Sequence, residues 1–221
     1  MSAPPSAFDP ARLKVLPREF FNRDPRRVCR ELLGRVLVRR EGNKLLAGRI
    51  VELEAYMGTN DPAAHAYIGA TARNRVLFGP PGHAYIYFIY GNHYCLNVSC
   101  MPEGKAGSVL FRALEPLVGI AEMERARGLE GAEASKSVLR LLTSGPGRLA
   151  EAFGITRLRD NDKDLTDAHS DLFLADAGYP PARVLTTVRV GITKAAERPL
   201  RYVIAGNEFV SGKRVVNRTR R

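Results

Sequence analysis

Tryptophan is absent from the chain, which removes the ring on which a sugar-processing hydrolase would stack its substrate. Cysteine is scarce: Cys29, Cys95 and Cys100 form no CxxC pair. An odd count without paired spacing excludes a disulfide framework and points to a reducing, intracellular compartment. Cys95, Cys100, His83 and His93 lie close in sequence. No CxxC or HxxxH spacing makes a zinc site of them, so neither a metal nor an organic cofactor is expected. No apolar run approaches ~18 residues, which argues against a membrane span. The opening "MSAPPSAFDPAR" lacks the apolar centre of a signal peptide and reads as a loose arm over residues 1–17.

Acidic residues are also in short supply. Lys and Arg number 34 against 23 Asp and Glu, a net charge of +11. The tail 213–221 carries five basic residues and no acidic one, so the body alone keeps +6. A basic body favours a polyanionic partner, above all nucleic acid.

The 221 residues suffice for one sizeable core, and 45% of them are hydrophobic. Asp24 as cap, Pro25 at the first helical position and Gly34 at the end delimit a helix. "RVLVRR" and "LLAGRIVELEAY" read as strands. Asn60 to Pro80 reads as a long loop, of a length that is usually functional or disordered. "GSVLFRALEP" is expected to be a strand that stops at Pro116. "LVGIAEMERARGL" has helical spacing. "TSGPGRLAEAFGI" opens a short helix with Ser144 as cap. "DLFLAD", "ARVLTTVRVGI" and "LRYVIAG" read as late strands. Strands outnumber helices without alternating with them, so the fold class is α+β: one mixed, mainly antiparallel domain spanning 18–212, followed by the basic tail.

Two stretches carry candidate chemistry. In "RIVELEAYMG", strand alternation puts Glu52, Glu54 and Tyr56 on one face and Val51, Leu53 and Ala55 on the other. That pattern fits a half-buried strand with a wet acidic face. It fits equally a carboxylate that activates water beside an aromatic wall, as in glycoside cleavage. Spacing does not choose between them. The second stretch, "AYIYFIYGNHYCLNVS", holds Tyr85, Tyr87, Phe88, Tyr90 and Tyr94 and reads as two strands joined at Gly91-Asn92. Stacking strands of this kind also occur in single-strand and RNA binders.

The blocks "VELEAYMGTNDPAAHAY", "RNRVLF", "YIYFIYGNHYCLNVS", "VLFRALEPLVG" and "SGPGRL" occur in this order between about Arg18 and Phe209. Together they resemble the alkyladenine DNA glycosylase family, the 3-methyladenine glycosylases of the mammalian type. The resemblance implies a curved sheet with a protruding β-hairpin. It implies hydrolysis of the N-glycosidic bond of alkylated or deaminated purines in double-stranded DNA, such as 3-methyladenine, hypoxanthine and ethenoadenine. An enzyme that acts on a base must first take it out of the stack, and Tyr90 corresponds to the residue that fills the gap.

Residue by residue, Glu54 resembles the general base and Arg112 the arginine that holds the attacking water. Val190 matches a position whose backbone carbonyl touches that water. Tyr56 and Tyr87 resemble the two walls that stack on the base, and His65 resembles the residue that hydrogen-bonds its edge. Asn97 resembles the asparagine that rejects guanine by a clash with its 2-amino group. Tyr85 is expected to face the core. Arg73, Arg75 and Arg148 are candidate phosphate contacts. At the hairpin tip, Asn92 and His93 stand where many relatives carry Met or an aromatic, and would grip DNA by hydrogen bonds. With no lysine in these blocks, the implied reaction is direct hydrolysis without a Schiff base. A monomer in a bacterial cytoplasm, associated with the nucleoid, completes the expectation.

Overall fold

The computed structural model describes residues 8–89, 91–131, 135–180 and 183–212. Tyr90 and the tail 213–221, both singled out above, lie outside them. Along the chain run β1 (Lys14–Val15), α1 (Pro25–Leu32), β2 (Val36–Glu41) and β3 (Lys44–Tyr56). Three short 3-10 turns follow, at Gly58–Asn60, His65–Ile68 and Arg75–Phe78. Next come β4 (Ala84–Ile89), β5 (His93–Ser99), β6 (Ser108–Val118) and α2 (Ile120–Ala126). The chain continues through α3 (Lys136–Thr143), α4 (Pro146–Ala152), α5 (Arg157–Asp160), β7 (Leu172–Asp176), β8 (Val184–Thr187) and β9 (Arg201–Ile204).

All nine strands join one sheet in the order β1-β7-β2-β3-β6-β5-β4, with β9 on β3 and β8 on β9. Every pairing is antiparallel. The α+β, antiparallel expectation holds. Pairing of Lys14 and Val15 with β7 extends the sheet into the stretch whose composition reads as a loose arm.

β3 is the spine. It pairs with β6 along one edge and with β2, then β9, along the other. Its register against β6 shifts between Ala47 and Gly48 and again around Glu52. Such irregularities bend a strand and raise its twist, which curls the sheet. Pro116 sits opposite Gly48 at the first shift, and β6 runs through it to Val118. The expected stop at Pro116 is therefore wrong: where pairing is interrupted, a missing N–H costs little.

The local signals in α1 hold. Asp24 accepts a hydrogen bond from the Arg26 N–H, Pro25 opens the helix, and Gly34 follows with φ +86°. For α4 the cap position is Gly145, with φ +128° and no side-chain cap; Ser144 instead ends α3. The strand expected over "ARVLTTVRVGI" stops at Thr187, leaving Val188 to Ile192 as loop.

The main core lies between the sheet and the helices, with α1 against β3 and α4 against β5 and β6. Phe21, Phe111, Phe153 and Phe173 are fully enclosed, each burial contributing roughly 1.5–3 kcal/mol. A smaller cluster of Ala66, Val76, Leu77 and Tyr85 props the 57–80 loop against the β4–β5 hairpin.

Candidate active site

The site is laid out by strand register. Tyr85, Tyr87 and Ile89 alternate along β4 and so share a face. Directly across the hairpin stand Asn97, Cys95 and His93. Asn97 pairs onward with Leu110 on β6, and Leu110 with Glu54 on β3. Arg112, two residues beyond Leu110, shares its side of β6. Sheet curvature folds this row into a cleft of about 450 Å³ lined by Tyr56, Tyr87, His93, Arg112, Arg148 and Val190, among others. A smaller cavity of about 140 Å³ opens beside it, lined by Tyr56, His65, Tyr85, Tyr87, Asn97 and neighbours. Tyr56, Tyr87, Ile89 and Ile192 line both. The expected pocket residues thus converge from β3, β4, β5 and the 3-10 turn at His65.

Glu54 is completely buried, as is Glu52. The wet acidic face is excluded, because the 188–192 loop, β9 and the segment at Ser211 cover that side. The Val190 N–H donates to Glu54 Oε1 at 2.8 Å, and Arg112 Nη1 lies 3.3 Å from the same oxygen. The Tyr56 hydroxyl donates to Oε2 at 3.1 Å. Glu54 thus lies behind the wall, and Tyr56 and Arg112, which bond it, face the cleft. Burial pushes its carboxyl above the usual range; Arg112, the Val190 N–H and Tyr56 pull it down without cancelling that rise. Tyr56 and Tyr87 are both pushed up, chiefly by burial, and stay neutral hydroxyls.

Val190 enters this geometry twice. Its N–H holds Glu54, while its carbonyl accepts from Arg112 Nη1 at 3.4 Å. The loop that presents it is anchored by Arg189. That guanidinium grips Asp61 in a bidentate fork at 2.5 and 2.9 Å and donates to the Ala55 carbonyl at 3.1 Å. It also stands 4.7 Å from the Tyr56 ring centroid, within cation–π range. Asp61 in turn accepts from the Met57 and Ala63 N–H groups. One buried ion pair therefore fixes the 57–63 loop, the Tyr56 ring and Val190 together. Sequence reading missed it, because 128 residues separate the partners and each alone is an ordinary loop residue.

His65 enters the smaller cavity from the second 3-10 turn. Its Nδ1 is 2.9 Å from the Tyr85 hydroxyl, and its ring meets Tyr87 edge-on at 4.5 Å. Burial, helped by nearby Arg73, pushes its imidazole down toward the neutral form. Tyr85 is buried as expected, yet its hydroxyl belongs to the site as the partner of His65. Buried Asn74 was also missed; its amide donates to the His65 and Gly69 carbonyls and fixes the turn. Asn97 lies at the back of the cavity and donates to the Tyr85 carbonyl at 3.3 Å.

The cationic candidates are more dispersed. Arg73 and Arg75 are exposed on the 57–80 loop. Arg148 is exposed at the cleft edge and donates to the Ser144 carbonyl at 3.4 Å. Asn92 is exposed at the hairpin turn, where Gly91 has φ +75°. His93 is not at a free tip: it packs on Gly147, where an added Cβ would lie 2.8 Å from its Cγ.

Residues 19–208 match the family model described as methylpurine-DNA glycosylase. A protein of Koribacter versatilis named "Putative 3-methyladenine DNA glycosylase" is 62% identical over 204 residues, 92% of this chain and 96% of its own length. Proteins of the same name from Methanoculleus marisnigri and Burkholderia lata are 47% and 45% identical. They cover 89% and 90% of this chain, and 98% and 91% of their own lengths. The chain belongs to the methylpurine-DNA glycosylase family.

Proposed function

We propose that the protein excises damaged purines, of the 3-methyladenine, hypoxanthine and ethenoadenine type, from double-stranded DNA by direct hydrolysis, beginning base excision repair. The observation that carries this is a buried carboxylate, Glu54, set behind an aromatic cavity and held by Arg112 and the Val190 N–H. The flipped base stacks between Tyr56 and Tyr87, which tolerates several purines. His65 and Tyr85 present hydrogen-bonding groups to its edge, and Asn97 closes the cavity against a 2-amino group.

Each carboxylate oxygen has two acceptor positions. On Glu54, Oε1 already holds the Val190 N–H and faces Arg112. Among the described residues, Oε2 holds only the Tyr56 hydroxyl, so it is the oxygen with room for the attacking water. Glu54 takes that water's proton as C1′ develops positive charge, which the carboxylate also stabilises. Alkylated purines leave readily because they carry charge already; hypoxanthine needs a hydrogen bond or proton at the leaving base. The described residues that line the cleft and cavity include no lysine, in keeping with hydrolysis rather than an imine and with no strand cleavage. Tyr90 fills the vacated stack, Asn92 contacts the opposite strand beside it, and Arg73, Arg75 and Arg148 hold phosphates. The protein acts as a monomer in the cytoplasm, on the nucleoid.

The test is single-turnover excision on duplexes carrying one hypoxanthine, ethenoadenine or 3-methyladenine, with alkali revealing abasic sites. Wild type is expected to release base, and Glu54→Gln to release none while binding the lesion duplex as tightly. The wild-type rate should fall as pH drops through the raised pKa of Glu54, so its acid limb lies above the ~4.3 of a free glutamate. Wild type that releases no base would refute the reading, and full activity in Glu54→Gln would refute the role of Glu54.

A further inference from the structure

Glu52 plays no part in the reaction described above, yet it is the most heavily bonded carboxylate beside it. It is fully buried on β3, two residues before Glu54. Oε1 accepts from Arg112 Nε at 2.8 Å, from Arg201 Nε at 2.7 Å and from the Ser211 hydroxyl at 2.9 Å. Oε2 accepts from the Ser211 N–H at 2.6 Å. Arg201 also donates to the Ser211 carbonyl at 3.0 Å. Two guanidinium charges and one carboxylate therefore meet in a space closed by residues from β3, β6, β9 and the segment after β9.

We infer that Glu52 is a positioning residue for the excision reaction: it pins Arg112 through Nε so that Nη1 is aimed at Glu54 and the Val190 carbonyl, with Arg201 and Ser211 holding Glu52 in place. The inference rests on the proposed glycosylase reading and adds a second carboxylate with a different task. An arginine has three donor nitrogens in a rigid plane. Fixing Nε against Glu52 fixes where the Nη atoms point. Without that anchor the guanidinium would rotate onto Glu54 and take up its oxygens by a bidentate grip. A misplacement of that kind costs rate rather than binding. Arg201 is the compensating charge. Glu52 alone would be shared between Arg112 and the fold, and Arg201 lets Arg112 keep its attraction for Glu54.

The electrostatics supply a signature. The groups facing Glu54 are Arg112 on β6, Tyr56 and Glu52 on β3, and the Val190 N–H beside Arg189 in the loop after β8. The charge on Glu54 in turn acts on Tyr87 on β4, Cys95 on β5 and Cys29 on α1. Of the two carboxylates here, Glu52 repels charge on Glu54 and works with burial to raise its pKa, against the pull of Arg112. Neutralising Glu52 therefore moves the acid limb of the excision profile to lower pH. That shift follows from the lost charge alone; exchange of the Arg112 Nε–H is the readout that reports whether Glu52 holds Arg112.

The experiment compares wild type, Glu52→Gln and Glu54→Gln in single-turnover excision between pH 4 and 9, with the affinity for the lesion duplex measured alongside. It adds the side-chain Nε–H resonance of Arg112 in free protein, which needs no activity. For Glu52→Gln we expect a rate reduced roughly tenfold or more at neutral pH, unchanged duplex affinity, an acid limb at lower pH and faster exchange of the Arg112 Nε–H. Wild-type rate and profile in Glu52→Gln would overturn the inference. So would a loss that tracks a lowered melting temperature with the Arg112 Nε–H exchange unchanged. Should Glu52→Gln not fold, Ser211→Ala removes one of the four bonds and is expected to lower the rate and speed Arg112 Nε–H exchange less strongly, with the acid limb in place because Glu52 keeps its charge; wild-type rate and exchange there would overturn the inference too. If wild type itself releases no base, the glycosylase reading fails. The Arg112 resonance then still decides whether Glu52 holds Arg112.

Discussion

Asp61 and Arg189 show how two residues remote in sequence can fix the walls of a cleft. The pair is fully enclosed, and its carboxylate accepts two backbone N–H groups as well as the guanidinium. Removing one partner of a buried pair leaves a charge in low dielectric without compensation, at a cost of about 3–5 kcal/mol. Asp61→Ala should lower stability by that order in urea unfolding. It should also slow excision, because Arg189 backs the Tyr56 ring and precedes the residue whose N–H holds Glu54. An unchanged excision rate in folded Asp61→Ala would show that the pair serves only the fold. The three thiols make a related point. Burial pushes Cys29, Cys95 and Cys100 all upward, so none is an available nucleophile even though Cys95 lines the cleft.

The elements of the site are joined at close quarters, as the joint between β5 and α4 shows. Gly147 in the first turn of α4 lies against His93 on β5, and an added Cβ would overlap the imidazole. Gly147→Ala should therefore displace His93 or lift α4, at about 1–3 kcal/mol in thermal or urea unfolding. It should also weaken DNA binding, since both elements line the cleft. Wild-type stability in that variant would mean that the ring moves aside freely. Much of the element plan was legible beforehand. The cap and proline of α1, the alternating β3 and β4, and the convergence of Tyr56, His65, Tyr87 and Asn97 could be read or carried over from local motifs. Three things could not be read that way. Sheet order depends on pairings between segments as remote as β3 and β9. The passage of β6 through Pro116 depends on a register shift in its partner. The burial of Glu52 and Glu54 depends on the late loop and on Ser211, whose own sequences say nothing of where they dock.

Across the whole molecule, charge is used in two ways. The excess of basic residues is available to DNA, and affinity should fall steeply with salt. Away from the cleft, acidic residues are enlisted to bind the fold together. Buried Arg39 forks onto Asp160 at 2.9 Å and reaches Asp171 at 3.1 Å, with Lys163 and Arg159 adding further bonds. Burial alone would raise Asp171, but Lys163, Arg39 and Arg159 outweigh it and hold it at about 2. A carboxylate depressed in the folded state contributes stability above its unfolded value of ~3.9, and that contribution is lost as pH falls toward 2. Wild type should therefore lose stability across that window when unfolding is followed by circular dichroism, and Asp171→Asn should lose less there while starting lower at pH 7. A variant curve parallel to wild type would rule the network out as the acid-sensitive element. The central strand carries a last consequence. β3 supplies Glu52, Glu54 and Tyr56 and, among the described residues, is the one strand hydrogen-bonded to β2, β6 and β9 together. Its amides belong to the most cooperative unit of the molecule, so no partly opened form can keep the carboxylates in place while the sheet loosens. Catalytic competence and the global fold should rise and fall as one transition, and damage to the enzyme itself would yield an inert chain rather than a careless one.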